Sequence, residues 1–169
     1  MRDPAKVRMI VLDVDGVMTD GTINLDENGR EFKRYHVRDG YAIKAWMRMG
    51  FEVGVISGRG GGALRARMSE LGLTRVVECC PEKGVALEQM CRQAGVPLEH
   101  TAFMGDDLPD LPALRRAGYA MTVADGVEQV RAICDLVTRA PGGHAAVREA
   151  IEHLARARGV MQQWLARYD

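Results

Sequence analysis

Near-continuous apolar runs alternate along this chain with segments whose apolar residues recur every three or four positions. "VRMIVLD" (7–13) predicts a strand buried on both faces. "YAIKAWMRMG" (41–50) has helical spacing and stops at Gly50. "FEVGVIS" (51–57) reads as the next strand. "GALRARMSELG" (62–72) reads as a helix with Leu64, Met68 and Leu71 on one face. "RVVECC" (75–80) predicts a strand, "KGVALEQMCRQAG" (83–95) a helix and "HTAFMGD" (100–106) a strand. "LPDLPALRRAG" (108–118) is a short helix with both prolines in its first turn, where a missing N–H does no harm. A strand at 119–123, a helix at 126–135, a strand at 136–138 and a long helix at 144–159 complete the order.

Strands and helices alternating with short connections predict an α/β fold. The expected form is a Rossmann-like, doubly wound parallel sheet with helices on both faces. One segment departs from the pattern. "GTINLDENGREFKRYHV" (21–37) holds two polar, alternating runs around Asn28-Gly29, a strong hairpin signal. A protruding β-hairpin there would overhang the carboxyl edge of the sheet, where open α/β sheets bind ligands. The tail at 160–169 is apolar and aromatic. It could cover a substrate, pack on a neighbouring subunit or lack structure.

The length of 169 residues fits a single domain and leaves little room for a second. With 23 basic and 23 acidic side chains, no global field exists to hold nucleic acid or an anionic membrane. No apolar run reaches the roughly 20 residues of a membrane span, and no signal peptide is evident. Cysteines at 79, 80, 91 and 134 form no C-x-x-C pair, and the four histidines are scattered, so zinc is not expected. Reduced thiols predict a cytoplasmic protein.

The carboxyl ends of parallel strands share one edge, and the chemistry collects there. Asp13 and Asp15 end the first strand, Ser57 the second, and Asp106 and Asp107 the fourth; Lys83 opens the helix after the third. Carboxylates this close repel one another, and a hard cation is the simple way to keep them ionised. Mg²⁺ favours one or two carboxylates, waters and a substrate phosphate. Such a rim suits phosphate monoester hydrolysis. Asp13 would be nucleophile and Asp15 acid and base, with Ser57 and Lys83 neutralising the phosphoryl group. Asp106 would bind metal and Asp107 assist it, while Gly16 allows a sharp turn that brings N–H groups near the phosphate.

A different reading uses the same region. Gly58, Gly60 and Ala63 fit the spacing G-x-G-x-x-G/A, and Glu78 sits where a ribose-binding acid would stand. That pattern would suit an NAD(P)-dependent oxidoreductase, but it leaves Asp13, Asp15, Lys83 and Asp106 unused. A non-catalytic scaffold on the same fold is a third reading.

"DVDGVMTDG" (13–21), "SGR" (57–59), Lys83 and "GDDLPD" (105–110) resemble the four motifs of the haloacid dehalogenase superfamily of phosphohydrolases. "HVRDGYAIK" (36–44), "GDDLPDLPAL" and "GGHAAVRE" (142–149) resemble its small capless members that act on 3-deoxy-D-manno-octulosonate 8-phosphate, in lipopolysaccharide precursor synthesis. The resemblance runs from about residue 7 to 158. It implies Asp13, Asp15, Ser57 and Lys83 as catalytic residues. It also implies Asp13, Asp15 and Asp106 around Mg²⁺, with Asp107 and Asp110 in support and Gly16, Gly58 and Arg59 at the substrate. Such enzymes are homotetramers in which the hairpin builds the interface and subunits shelter one another's sites.

Relatives acting on nine-carbon sugar acid 9-phosphates tend to carry an acidic residue where Arg59 stands. Arg59 therefore favours the eight-carbon acid, whose carboxylate a guanidinium could pair. Two departures stand out. Ala145 replaces a frequent glycine, and "VECCPEK" replaces a polar loop before the motif lysine.

Overall fold

The structure, a computed structural model, describes residues 2–168. Its main sheet has six parallel strands. These are β1 (Met9–Leu12), β4 (Glu52–Ile56), β5 (Val76–Val77), β6 (Thr101–Met104), β7 (Tyr119–Thr122) and β8 (Leu136–Val137). They lie in the order β5-β4-β1-β6-β7-β8. From β1 the chain winds outward through β4 to β5, then crosses back to β6 and winds the other way. The winding reverses at β1, so the crevice beyond β1 and β6 is the expected binding place. β1 and β6 are wholly buried because helices cover both faces of the sheet.

Alternate residues of β1 feed two cores. Ile10 and Leu12 join the helices α1 (Val37–Arg48), α2 (Gly62–Leu71) and α6 (Ala146–Ala157). Met9 and Val11 join α3 (Lys83–Ala94), α4 (Leu111–Arg116) and α5 (Glu128–Arg131). The doubly wound fold expected from the alternation is the fold found.

Details differ from the sequence expectation for local reasons. α1 starts at Val37 rather than 41, because the His36 side chain caps it by accepting from Arg38 N–H at 3.2 Å. Gly40 inside its first turns gives clearance: a Cβ there would lie 2.2 Å from Arg67 Nη2 on α2. The hairpin is present but short, pairing β2 (Asn24–Leu25) with β3 (Glu31–Phe32). Its turn is not a two-residue Asn-Gly turn. Asp26 pairs with Arg30 around a three-residue loop, with Gly29 left-handed at φ 74°. The segment 108–118 divides into a 3₁₀ turn at Leu108–Asp110 and then α4, each with a proline near its start.

The tail has a home on its own chain. α7 (Met161–Leu165) buries Trp164 in the α1/α6 core, and Trp164 Nε1 donates to Tyr41 Oη at 3.2 Å. Among the described residues no helix is long and apolar enough to cross a membrane.

The segment "GGHAAVRE" is built against the loop after β1. Gly143 N–H donates to the Val17 carbonyl at 3.0 Å, and a Cβ on Gly142 would lie 1.8 Å from the Gly16 carbonyl oxygen. Ala145 then enters α6 in a left-handed conformation, φ 71°. It offers no capping side chain. Asp39 of α1, buried, accepts from Arg148 N–H at 2.7 Å and caps α6 from outside. Alanine at a left-handed position costs roughly 1–2 kcal/mol, partly offset by its smaller entropy loss relative to glycine. Ala145→Gly should therefore stabilise the protein by about 0.5–1 kcal/mol, seen as a melting temperature higher by about 2 °C. A lower melting temperature would contradict the strain argument.

Candidate active site

Asp13 follows β1 directly, and its N–H donates to the Met104 carbonyl of β6 at 2.9 Å, so the switch point itself fixes its backbone. Lys83, the first residue of α3, brings its ammonium to 2.8 Å from Asp13 Oδ1 and 2.6 Å from Asp110 Oδ1. All three side chains are buried. Asp110 Oδ2 accepts from the N–H groups of Asp106 and Asp107, at 2.9 and 3.2 Å. Both Asp110 oxygens are thus engaged, and Asp110 organises the loop after β6 while holding Lys83. Gly105 makes room for this: a Cβ there would lie 2.4 Å from Asp110 Cγ. Asp107 caps the following turn, accepting from Leu108 N–H at 2.7 Å.

Asp106 completes the cluster. Carboxylate oxygens of Asp13, Asp106 and Asp110 lie within 4.8 Å of one another. Burial pushes Asp106 up to about 8, reinforced by the charges of Asp13 and Asp110. Burial and the Asp110 charge raise Asp13 to about 6, against the pull of Lys83. Asp106 Oδ1 is buried with no hydrogen-bond partner. An orphaned carboxylate oxygen beside a second carboxylate is the donor set a hard divalent cation takes, so these residues fit Mg²⁺.

The sign of the pH effect follows from the raised values. Between about pH 4 and pH 8 the folded state retains protons that the unfolded chain has lost, so this cluster's contribution to stability falls as pH rises. A bound cation should reverse that loss. The rise in melting temperature produced by millimolar Mg²⁺ should be about twofold larger at pH 8 than at pH 5.5. Equal shifts at the two values would count against the cluster as the metal site.

A cavity of about 360 Å³ opens over this cluster. Asp13, Asp15, Lys83, Asp106, Asp107 and Asp110 line it, with Gly58 and Arg59 on one side and Gly21 and Ile23 at the base of the hairpin. Most of the residues expected from the sequence therefore meet in one place. Three stand differently from expectation. The Asp15 carboxylate lies outside the three-carboxylate cluster because Lys33 of the hairpin pairs with it. Ser57 is buried and does not line the cavity; its Oγ accepts from Arg59 N–H at 3.1 Å and shapes the turn. Gly16, at φ 89°, gives clearance, since a Cβ would lie 2.1 Å from Asp106 Oδ2. Its N–H faces the Thr19 hydroxyl at 3.4 Å.

Sequence reading missed Glu31 and Lys33. Their spacing of two in "GREFKRY" puts them on one face of an extended strand, the signal that could have found them. The dinucleotide reading loses its acid here. Glu78 Oε2 accepts from Gly61 N–H at 3.1 Å and from Arg65 Nη1 at 2.8 Å, which closes the Gly60–Gly62 turn.

A family model described as haloacid dehalogenase-like hydrolase matches residues 81–151. The 3-deoxy-D-manno-octulosonate 8-phosphate phosphatase of Haemophilus influenzae is 40% identical over 153 residues, covering 90% of this chain and 85% of its own. The chain belongs to the 3-deoxy-D-manno-octulosonate 8-phosphate phosphatase family of haloacid dehalogenase-like hydrolases. Two solved structures of this family agree with the fold. The Moraxella catarrhalis phosphatase, in complex with magnesium, phosphate and KDO, has a TM-score of 0.95 at 34% identity and covers 98% of this chain and 95% of its own. The cobalt-bound Haemophilus influenzae phosphatase has a TM-score of 0.90 at 39% identity, covering 92% of this chain and 91% of its own. Membership makes this protein an enzyme of the phosphoric monoester hydrolase class.

Proposed function

We propose that this phosphatase hydrolyses 3-deoxy-D-manno-octulosonate 8-phosphate to the free sugar acid and phosphate, through an aspartyl-phosphate on Asp13, with Mg²⁺ in the site. The buried Asp13–Lys83–Asp110 arrangement beside the unpartnered Asp106 oxygen carries this reading. Asp13, facing the cavity, attacks phosphorus as the bond to the sugar oxygen breaks. Its value of about 6 leaves it mostly ionised at neutral pH, as a nucleophile must be. Asp15 donates a proton to the departing sugar oxygen, then takes one from the water that cleaves the aspartyl-phosphate. Lys83 holds the nucleophile still and offsets charge on the phosphoryl group. Asp13 and Asp106 would hold Mg²⁺, while the Asp15 carboxylate is drawn to Lys33. The bound cation would supply electrophilic stabilisation of the phosphoryl oxygens.

Arg59 at the cavity rim favours a substrate with a carboxylate, and the eight-carbon acid over the nine-carbon one. A screen of phosphate release over sugar-acid phosphates, with and without Mg²⁺, tests the assignment. The octulosonate phosphate should give the highest kcat/KM, and chelation should abolish turnover. A nine-carbon acid phosphate preferred tenfold or more would replace it.

The assembly proposed is a homotetramer in the cytoplasm, acting in lipopolysaccharide precursor synthesis. Ile23, Leu25 and Phe32 of the hairpin and Val37 beside it are each more than half exposed, an apolar group suited to a subunit interface. Sedimentation at four times the 18.6 kDa chain mass is the expected result.

A further inference from the structure

We propose that Glu31 is a positioning residue that holds Arg59 ready for the carboxylate of the substrate; this rests on the substrate reading above. β3 and the residue that follows it turn Glu31 and Lys33 inward and Phe32 outward. The Glu31 and Lys33 side chains are 16% and 3% exposed, while Phe32 is 52% exposed. Glu31 Oε1 accepts from Arg59 Nη2 at 2.7 Å and from Lys33 Nζ at 3.2 Å. Lys33 in turn pairs with Asp15. An unbroken line of alternating charge therefore runs from the proton-transfer residue, through the hairpin, to the rim of the cavity.

Arg59 is a long side chain, 44% exposed, and unheld it would sample many rotamers. Among the described residues no second acceptor hydrogen-bonds its guanidinium; Asp15 Oδ2 stands 3.9 Å from Nε. With one edge fixed by Glu31, the remaining N–H groups stay free for a planar anion such as a carboxylate. Fixing the side chain before the substrate arrives removes an ordering cost from binding. The benefit falls on ground-state binding of the acid group, so it is read in KM and not in phosphoryl transfer. Glu31 could instead compete with the substrate for Arg59, and the two roles have opposite signs. A competitor's removal lowers KM; a positioning residue's removal raises it.

The test compares wild type, Glu31→Gln, Arg59→Met and the double variant on two esters. One is 3-deoxy-D-manno-octulosonate 8-phosphate; the other is p-nitrophenyl phosphate, which lacks a carboxylate. Glu31→Gln should raise KM for the sugar acid about fivefold more than KM for p-nitrophenyl phosphate, with the kcat ratio between the two esters preserved. Arg59→Met should shift the same ratio further, and the double variant should match Arg59→Met, because Glu31 acts through Arg59. A falling KM, equal losses on both esters or additive effects in the double variant would each overturn the assignment. If Arg59→Met shifts the ratio and Glu31→Gln does not, the role of Glu31 fails while the substrate reading stands. If wild type shows no preference for the sugar acid, the substrate reading fails and takes this assignment with it.

Discussion

Asp13→Asn should lower phosphate release by about a thousandfold or more while leaving the protein folded. An amide oxygen can still accept from the Lys83 ammonium now 2.8 Å away, but it cannot displace a sugar alkoxide. Lys83 also keeps its 2.6 Å contact with Asp110, so no buried cation is stranded. The change removes repulsion between Asp13 and its acidic neighbours, the interaction that helps raise Asp106. The melting temperature should accordingly stay within a few degrees of wild type. Phosphate release and thermal unfolding measured on one preparation settle the matter. Retention of more than about one per cent of wild-type kcat would remove Asp13 as nucleophile.

Lys83→Met is expected to damage both activity and fold. The ammonium is enclosed between two buried carboxylates, and removing one partner of such a group costs about 3 kcal/mol. Burial alone would lower the Lys83 pKa, but the charges and hydrogen bonds of Asp13 and Asp110 outweigh it and hold it above its ordinary value. Its charge therefore contributes fully below its unfolded pKa of about 10, across the neutral range, and is lost only in strong alkali. In the variant the cost depends on the carboxylates left behind. Protonation relieves them, so urea denaturation should find the loss larger at pH 8 than at pH 5.5. A pH-independent loss would mean that Lys83 matters as a packing group rather than as a counter-charge.

The sheet and the acid cluster were legible because both follow from periodicity. A parallel strand buried on both faces is mostly apolar, so Met9–Leu12 and, apart from Thr101, Thr101–Met104 are marked by composition, and Asp13 and Asp106 stand one and two residues beyond their ends. What stayed hidden depends on partners distant in sequence. Lys33 and Asp15 are 18 residues apart, Arg59 and Glu31 are 28 apart, and polar alternation in a hairpin looks the same whether it meets water or an active site. Asp39 carries no signal in sequence for its role as the cap of α6, because its partner at Arg148 lies 109 residues away. Ser57 shows the same limit at the end of β4. A strand-end hydroxyl can face a ligand or the turn that follows it, and here Ser57 Oγ accepts from the Arg59 N–H two residues on.

The contact of Gly142 and Gly143 with the loop after β1 has a consequence for synthesis. Every residue proposed for chemistry has left the ribosome once Asp110 has, yet the loop carrying Asp15 and Gly16 is closed from behind by residues more than thirty positions later. The cap that Asp39 provides for α6 waits for the same late segment. A nascent chain halted before Gly142 would carry the whole set of acids and its lysine without the brace that aligns them. Competence therefore waits until α6 has been made and has docked.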